Sequence, residues 1–295
     1  MPITRREALL SVAAASLRAS PSSEMPSVPF GPHRISKLIV GGNPVSGNSH
    51  VSSALSQEMI DYFTSENVKR LLRNCERAGI NTWQSRGDKH IIRLLHEYGQ
   101  EGGQLHWIAQ TASEITWERN LSEMLREKPA GIYHHGTKTD AAWRAGKIES
   151  VRDTLKMIRQ SGTRVGLGTH IPEVIDYVES KGWDVDFYMT CLFNLSRSEE
   201  EKKALGGGKA AGELFHDPDR VEMLKRVRQA SKQCLVFKVY GASRHCDSAE
   251  RMRNALRLAL DSMKPNDAIV IGMFPKYKEQ VVENCQLLNQ AMRTS

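Results

Sequence analysis

Apolar residues along the chain fall into short runs that alternate with longer stretches in which they recur every third or fourth position. The short runs cover residues 36–41 (SKLIVG), 80–84 (INTWQ), 105–111 (LHWIAQT), 131–135 (GIYHH), 164–168 (RVGLG), 185–190 (VDFYMT), 234–239 (CLVFKV) and 268–272 (AIVIG). Their length and β-branched content predict strands. The stretches between them include 66–78, 88–98, 150–160, 172–179, 218–230, 248–263 and 276–292, whose i, i+3, i+4 spacing predicts amphipathic helices. Gly79, Gly99, Gly162 and Gly182 follow four of these, as glycine does where a helix stops.

Strands alternating with helices pair in parallel. Eight such units within residues 35–295 predict a single-domain α/β fold, the closed (β/α)8 TIM barrel, which typically takes about 250 residues. The alternative is an open doubly wound sheet. Its nucleotide turn is not evident, because Gly41-Gly42-Asn43-Pro44 followed by Gly47 lacks the GxGxxG spacing. An inserted loop at 195–216 separates the sixth strand from its helix; its centre, SRSEEEKKALGGGKAAGE, is charged and then glycine-rich. It reads equally as a lid over the top face or as a solvated insertion.

Composition narrows the picture only slightly. With 40% hydrophobic and 25% charged residues in 295, the chain is ordinary globular material. The net charge of +7 is scattered rather than clustered, which argues against nucleic acid as a partner. Five cysteines at 75, 191, 234, 246 and 285 show no CxxC pair, so neither a zinc ribbon nor a disulfide framework is signalled. Residues 1–30 read as a targeting segment and linker. Arg5-Arg6, the short apolar stretch after them and a Ser/Pro-rich tail resemble a twin-arginine signal, which implies passage through that export machinery to the periplasm or beyond. The apolar part is too short for a membrane span.

In a barrel of this kind chemistry sits at the C-terminal ends of the strands. That rule selects Asn43 and His50 after the first strand, Gln84 and Arg86 after the second, Gln110 after the third, and His134 and His135 after the fourth. His170 follows the fifth, Cys191 and Asn194 the sixth, Lys238 and Tyr240 the seventh, and Gly272 and Met273 the eighth. No carboxylate is among them. Asn43, Gln84, Arg86, Gln110, Asn194 and Tyr240 are the substrate-binding candidates. His135, His170 and Lys238 are the catalytic ones: imidazoles near neutrality suit proton transfer, and a lysine flanked by apolar residues is a candidate for a lowered pKa. Two histidines from adjacent strand ends also invite a divalent metal, with Cys191 or His50 as third ligand. One of the His134/His135 pair must face the barrel wall. Arg244, in the seventh loop, is an anion partner.

The segment 78–84 (AGINTWQ), Tyr133-His134-His135, and Ile271-Gly272-Met273 followed by 279–284 (EQVVEN) resemble the aldo/keto reductase superfamily over residues 35–292. That resemblance implies NADP(H) bound across the top of the barrel, near Arg244, Gly272 and Met273, and a catalytic Asp, Tyr, Lys and His. At the matching positions this chain has Gln84 for the Asp, Gln110 for the Lys and Ser85-Arg86-Gly87 where the Tyr is expected, while the histidine is met by His134 or His135. Two functions follow as expectations. The first is an exported oxidoreductase acting on a small polar or sugar-like carbonyl compound. The other is a cofactor-free or metal-assisted lyase, isomerase or hydrolase built on His135, His170 and Lys238, beside which stands a barrel that only binds a ligand.

Overall fold

The computed structural model describes residues 25–112, 116–206 and 213–293. In chain order the strands are β1 (Ser27–Phe30), β2 (His33–Ser36), β3 (Leu38–Gly41), β4 (Thr82–Arg86), β5 (His106–Gln110), β6 (Gly131–His134), β7 (Val165–Thr169), β8 (Phe187–Cys191), β9 (Gln233–Phe237) and β10 (Ala268–Gly272). The helices are α1 (Ser53–Tyr62), α2 (Ser65–Arg77), α3 (Lys89–Gln100), α4 (Trp117–Leu125), α5 (Gly136–Arg144), α6 (Glu149–Gln160), α7 (Pro172–Ser180), α8 (Glu199–Ala204), α9 (Pro218–Gln229), α10 (Ala249–Ser262) and α11 (Gln280–Arg293).

Strands β3 to β10 pair in parallel, each with its sequence neighbours, and β10 closes on β3 through Val270 opposite Ile39. The molecule is therefore a single (β/α)8 barrel, and each of the eight predicted runs supplies one barrel strand. Every strand is covered on both sides, which is why the runs read as nearly continuous apolar segments. Leu38, Val40, Trp83, Ile132, Leu167, Tyr188 and Val236 face the helices. Residues of the opposite parity, among them Ile39, Ile108, Tyr133, Phe187, Met189, Leu235 and Val270, fill the interior.

Beneath this interior lies an element that the sequence pattern does not disclose. β1 and β2 form an antiparallel hairpin turned at Gly31, whose φ of +61° suits glycine. Val28, Phe30 and Ile35 join the barrel's inner cluster, and the Phe30 ring packs edge-on against Phe187 at 5.0 Å. The hairpin thus stoppers the N-terminal end. With Pro29, Pro32 and several polar residues, its sequence looks like the tail of a linker, but alternation buries one face. The folded body therefore reaches back past residue 30, into what reads as a targeting segment. The Arg5-Arg6 signal itself lies outside the described residues.

Smaller differences concern helices. α3 runs through Gly99 instead of stopping there, and α1, α4, α5 and α8 come from stretches too short or too polar to show periodicity. The start of the insertion is ordered by a capping box, in which Ser198 and Glu201 each bond the other's backbone at the N-terminus of α8. All five cysteines are free. Among the described residues no helix is long and apolar enough to cross a membrane.

Candidate active site

At the C-terminal mouth a cavity of about 320 Å3 is lined by Asn43, Gln84, Arg86, Gln110, His135, His170 and Lys238. Ring closure thus brings together seven residues drawn from six strand ends. His50, Tyr133, Asp140 and Glu213 complete the polar wall. The two carboxylates correct the expectation of an acid-free site. Asp140 hides on α5, a helix the periodicity does not reveal, and Glu213 ends the glycine-rich part of the insertion.

The two imidazoles come from neighbouring strands. α5 starts directly after β6, with His135 as its N-cap residue, while His170 follows β7. A Cβ on Gly168 would stand 3.0 Å from both Gly136 N and His134 O, so glycine there lets the start of α5 approach β7 closely. His134 turns the other way, as strand alternation requires. It is buried, its Nδ1 2.8 Å from Thr139 Oγ1. His170 is clamped by Asp140, a fully buried carboxylate that accepts from its Nδ1 at 2.6 Å, from its backbone N–H at 3.2 Å and from Thr169 Oγ1 at 2.6 Å. Nδ1 is thereby committed to Asp140, and Cys191 lies within hydrogen-bonding reach of the same ring.

These surroundings drive the two rings apart in charge. For His135, burial, then the neighbouring charge of His170, then Arg86 and Lys138, all oppose protonation and push its pKa down to about 4. For His170, burial works in the same direction, but Cys191 beside the ring and the bonded Asp140 carboxylate outweigh it and raise the pKa to about 10. At neutral pH the mouth therefore holds a neutral imidazole next to an imidazolium.

A second set of groups paves the floor. Gln84 Nε2 donates to Tyr133 Oη at 2.8 Å, and Tyr133 Oη donates to Gln110 Oε1 at 2.7 Å. Burial raises the Tyr133 pKa, so the phenol keeps its proton and the relay its polarity. Opposite, Lys238 directly follows β9 in the left-handed region, φ +61°, with its ammonium 5.6 Å above the Phe215 ring. Burial lowers its pKa, Cys191 and Glu213 partly counteract this, and Arg244 adds to the lowering. His50 Nδ1 meets Glu213 Oε2 at 2.5 Å and its Nε2 meets Asn43 Nδ2 at 3.1 Å, so the insertion is tied across the mouth to the first loop.

The remaining predicted residues are placed elsewhere. Asn194 serves the insertion: its backbone N–H donates to Asp219 and its Oδ1 accepts from Ser196. The Tyr240 hydroxyl donates to Asn284 at 2.9 Å, and the ring lines a neighbouring cavity together with Gly272. Arg244 lies 3.8 Å over the Phe215 ring and bonds the carbonyls of His50, Gly241 and Ala242. Met273 is fully buried in the core. Arg244 is thus engaged with Phe215 and loop carbonyls, and Met273 with the core. Among the described residues no three His, Cys, Asp or Glu side chains are grouped to hold a metal ion. His170 spends Nδ1 on Asp140, and His50 is drawn to Glu213.

No family model and no curated protein matches this sequence. Solved structures of similar fold include an N-acetylmannosamine-6-phosphate 2-epimerase from Clostridium perfringens, 13% identical, with a TM-score of 0.48 over 88% of this chain and 93% of that one. The aldolase QR15 is 9% identical, with a TM-score of 0.49 over 78% and 91%. A 3-hexulose-6-phosphate synthase from Salmonella typhimurium is 9% identical, with a TM-score of 0.48 over 87% and 98%. At such identities the likeness is one of barrel fold alone.

Proposed function

We propose that the protein is a cofactor-independent proton-transfer enzyme of the isomerase or lyase kind, acting on a small polar compound that carries a carbonyl group. The observation that supports this reading is the split pair of imidazoles, since groups whose surroundings separate their pKa values are the ones that serve as acid and base. Neutral His135 takes a proton from the carbon next to the carbonyl. His170 gives a ring proton to the carbonyl oxygen as the enol forms, and Asp140 holds the ring in place throughout. Where the neighbouring carbon carries a hydroxyl, His135 returns its proton to the former carbonyl carbon while that hydroxyl gives its proton to His170, which leaves the carbonyl moved by one carbon and both rings in their starting states. Gln84, Tyr133 and Gln110 orient its hydroxyl groups, and Lys238 faces the developing oxyanion.

The oxidoreductase suggested by the aldo/keto reductase resemblance is the less supported reading. Gln84 and Gln110 carry no titratable proton, and Arg244 and Met273 are engaged elsewhere. The proposal is tested by incubating the protein in D2O with a panel of small hydroxy-aldehydes and hydroxy-ketones and following C–H to C–D exchange by NMR. Exchange next to the carbonyl that disappears in His135→Gln is expected. Absence of exchange across the panel, or equal exchange in the variant, would refute the reading.

A further inference from the structure

A second cavity of about 310 Å3 opens beside the first, between the loops that follow β3, β9 and β10. The two share a wall made of Asn43, Asn48, His50, Gln84, Phe237 and Lys238. Beyond that wall the second cavity changes character. Leu55, Met59, Met252, Val270, Ile271 and Phe274 line it.

Several polar groups around it are already committed to one another. Tyr240 Oη donates to Asn284 Oδ1 at 2.9 Å, Asn284 Nδ2 donates to the Gln280 carbonyl at 2.7 Å, and the Phe274 N–H donates to Gln280 Oε1 at 2.7 Å. At the rim Lys278 is paired with Glu283 at 2.8 Å. The basic residue expected to attract an anion to these loops, Arg244, is stacked on Phe215 and spread over three carbonyls. Beyond the shared wall a phosphate would lose water and meet polar groups already paired with one another, whereas an apolar group would meet apolar side chains.

Backbone strain gathers at the same place. Five non-glycine residues among those described have positive φ, and four of them, His50, Lys238, Ala242 and Ser243, line this cavity. Left-handed conformations in ordinary residues persist only where the surrounding structure enforces them, and they cluster at ligand clamps.

We infer that the second cavity is a specificity pocket for an apolar extension of the substrate, whose polar head reaches across the Asn43, His50 and Lys238 wall to the imidazoles. The substrate is then an amphipathic molecule, a polar carbonyl-bearing head joined to an acyl chain or aromatic group, rather than a bare sugar or a sugar phosphate. The size suits such a group, because an apolar cavity of about 150 Å3 is enough to take up benzene. The inference rests on the proposed function only in placing the head in the first cavity.

Binding, not turnover, tests it. Isothermal titration of the purified protein with acetate, butyrate and hexanoate is expected to show affinity rising roughly fourfold per added methylene, the gain for burying that group. Leu55→Trp, which fills the cavity from its rim, is expected to flatten the series while leaving acetate binding unchanged. Met252→Trp fills it from the opposite wall and serves if the first variant does not fold. Chain-length-independent affinity, no detectable binding of hexanoate, or an equally steep series in a folded variant overturns the inference. Loss of proton exchange in the preceding experiment would leave these outcomes readable, because they do not depend on catalysis.

Discussion

The two ends of the barrel are made from the same eight strands and obey opposite rules. At the N-terminal end Phe30, Ile35, Ile39 and Phe187 interlock in a dry cluster closed by the β1–β2 hairpin. At the C-terminal end three histidines, a lysine, two glutamines and two carboxylates share one cavity, and Lys238 and His50 hold left-handed backbone conformations. One end gathers stability and the other accepts strain and buried charge, which the rigid lower end can sustain. The difference teaches where to look for each kind of effect: substitutions below alter folding, and substitutions above alter chemistry.

The largest expected effect is at the mouth. Asp140→Asn keeps the shape but removes the fixed anion behind His170, and by analogy with carboxylate–histidine pairs it should cost about 10^2 to 10^4 in rate. The alkaline limb of the pH–rate profile should also move down from near pH 10. An Asp140→Asn variant with unchanged rate and profile would break the comparison. Next comes Phe30→Ala at the opposite end, expected to cost about 3 to 5 kcal/mol of stability by denaturant unfolding. Its pH–rate profile should be that of the unaltered protein, since the hairpin lies at the opposite end of the barrel from the two imidazoles.

A pH effect on stability sharpens the contrast further. His134 and His135 are both held near 4 by burial, whereas in the unfolded chain they take protons near the ordinary histidine value. The unfolded state therefore binds more protons between those values, and stability falls as pH drops from about 6.5 toward 4, by roughly 3 kcal/mol for each ring. His170 has the opposite sign. Its contribution is complete below about 6.5 and is lost as pH rises toward about 10. Unfolding curves across that range read both limbs. The smallest effect is expected for Asn194→Ala, within about 1 kcal/mol in stability and with unchanged rate, because its side chain bonds only within the insertion.

Much of the barrel could be read in advance because a buried parallel strand needs a continuous apolar run, and each of the eight runs is short and bounded. The position of Asn43, Gln84, Gln110, His135, His170 and Lys238 at one mouth followed from strand order alone. The β1–β2 hairpin could not be read this way, since two four-residue strands containing a proline carry too few positions for a periodic signal. Asp140 was hidden for a related reason. It is a helical residue reaching across to the next strand's loop, and strand-end position does not select it, although an acid five residues after a strand-end histidine was a visible hint. Arg244 and Met273 show the reverse limit. Both sit in the predicted loops, and strand-end position does not disclose where their side chains go: Arg244 stacks on Phe215 and Met273 is buried in the core.

The proposed chemistry requires the two imidazoles at the mouth to be in different protonation states. An NMR titration of protein labelled in its histidine rings, with assignments from His135→Gln and His170→Gln, measures this directly. Midpoints near 4 for His135 and near 10 for His170 are the predicted result. Two rings titrating together near the ordinary value of about 6.5 would contradict it.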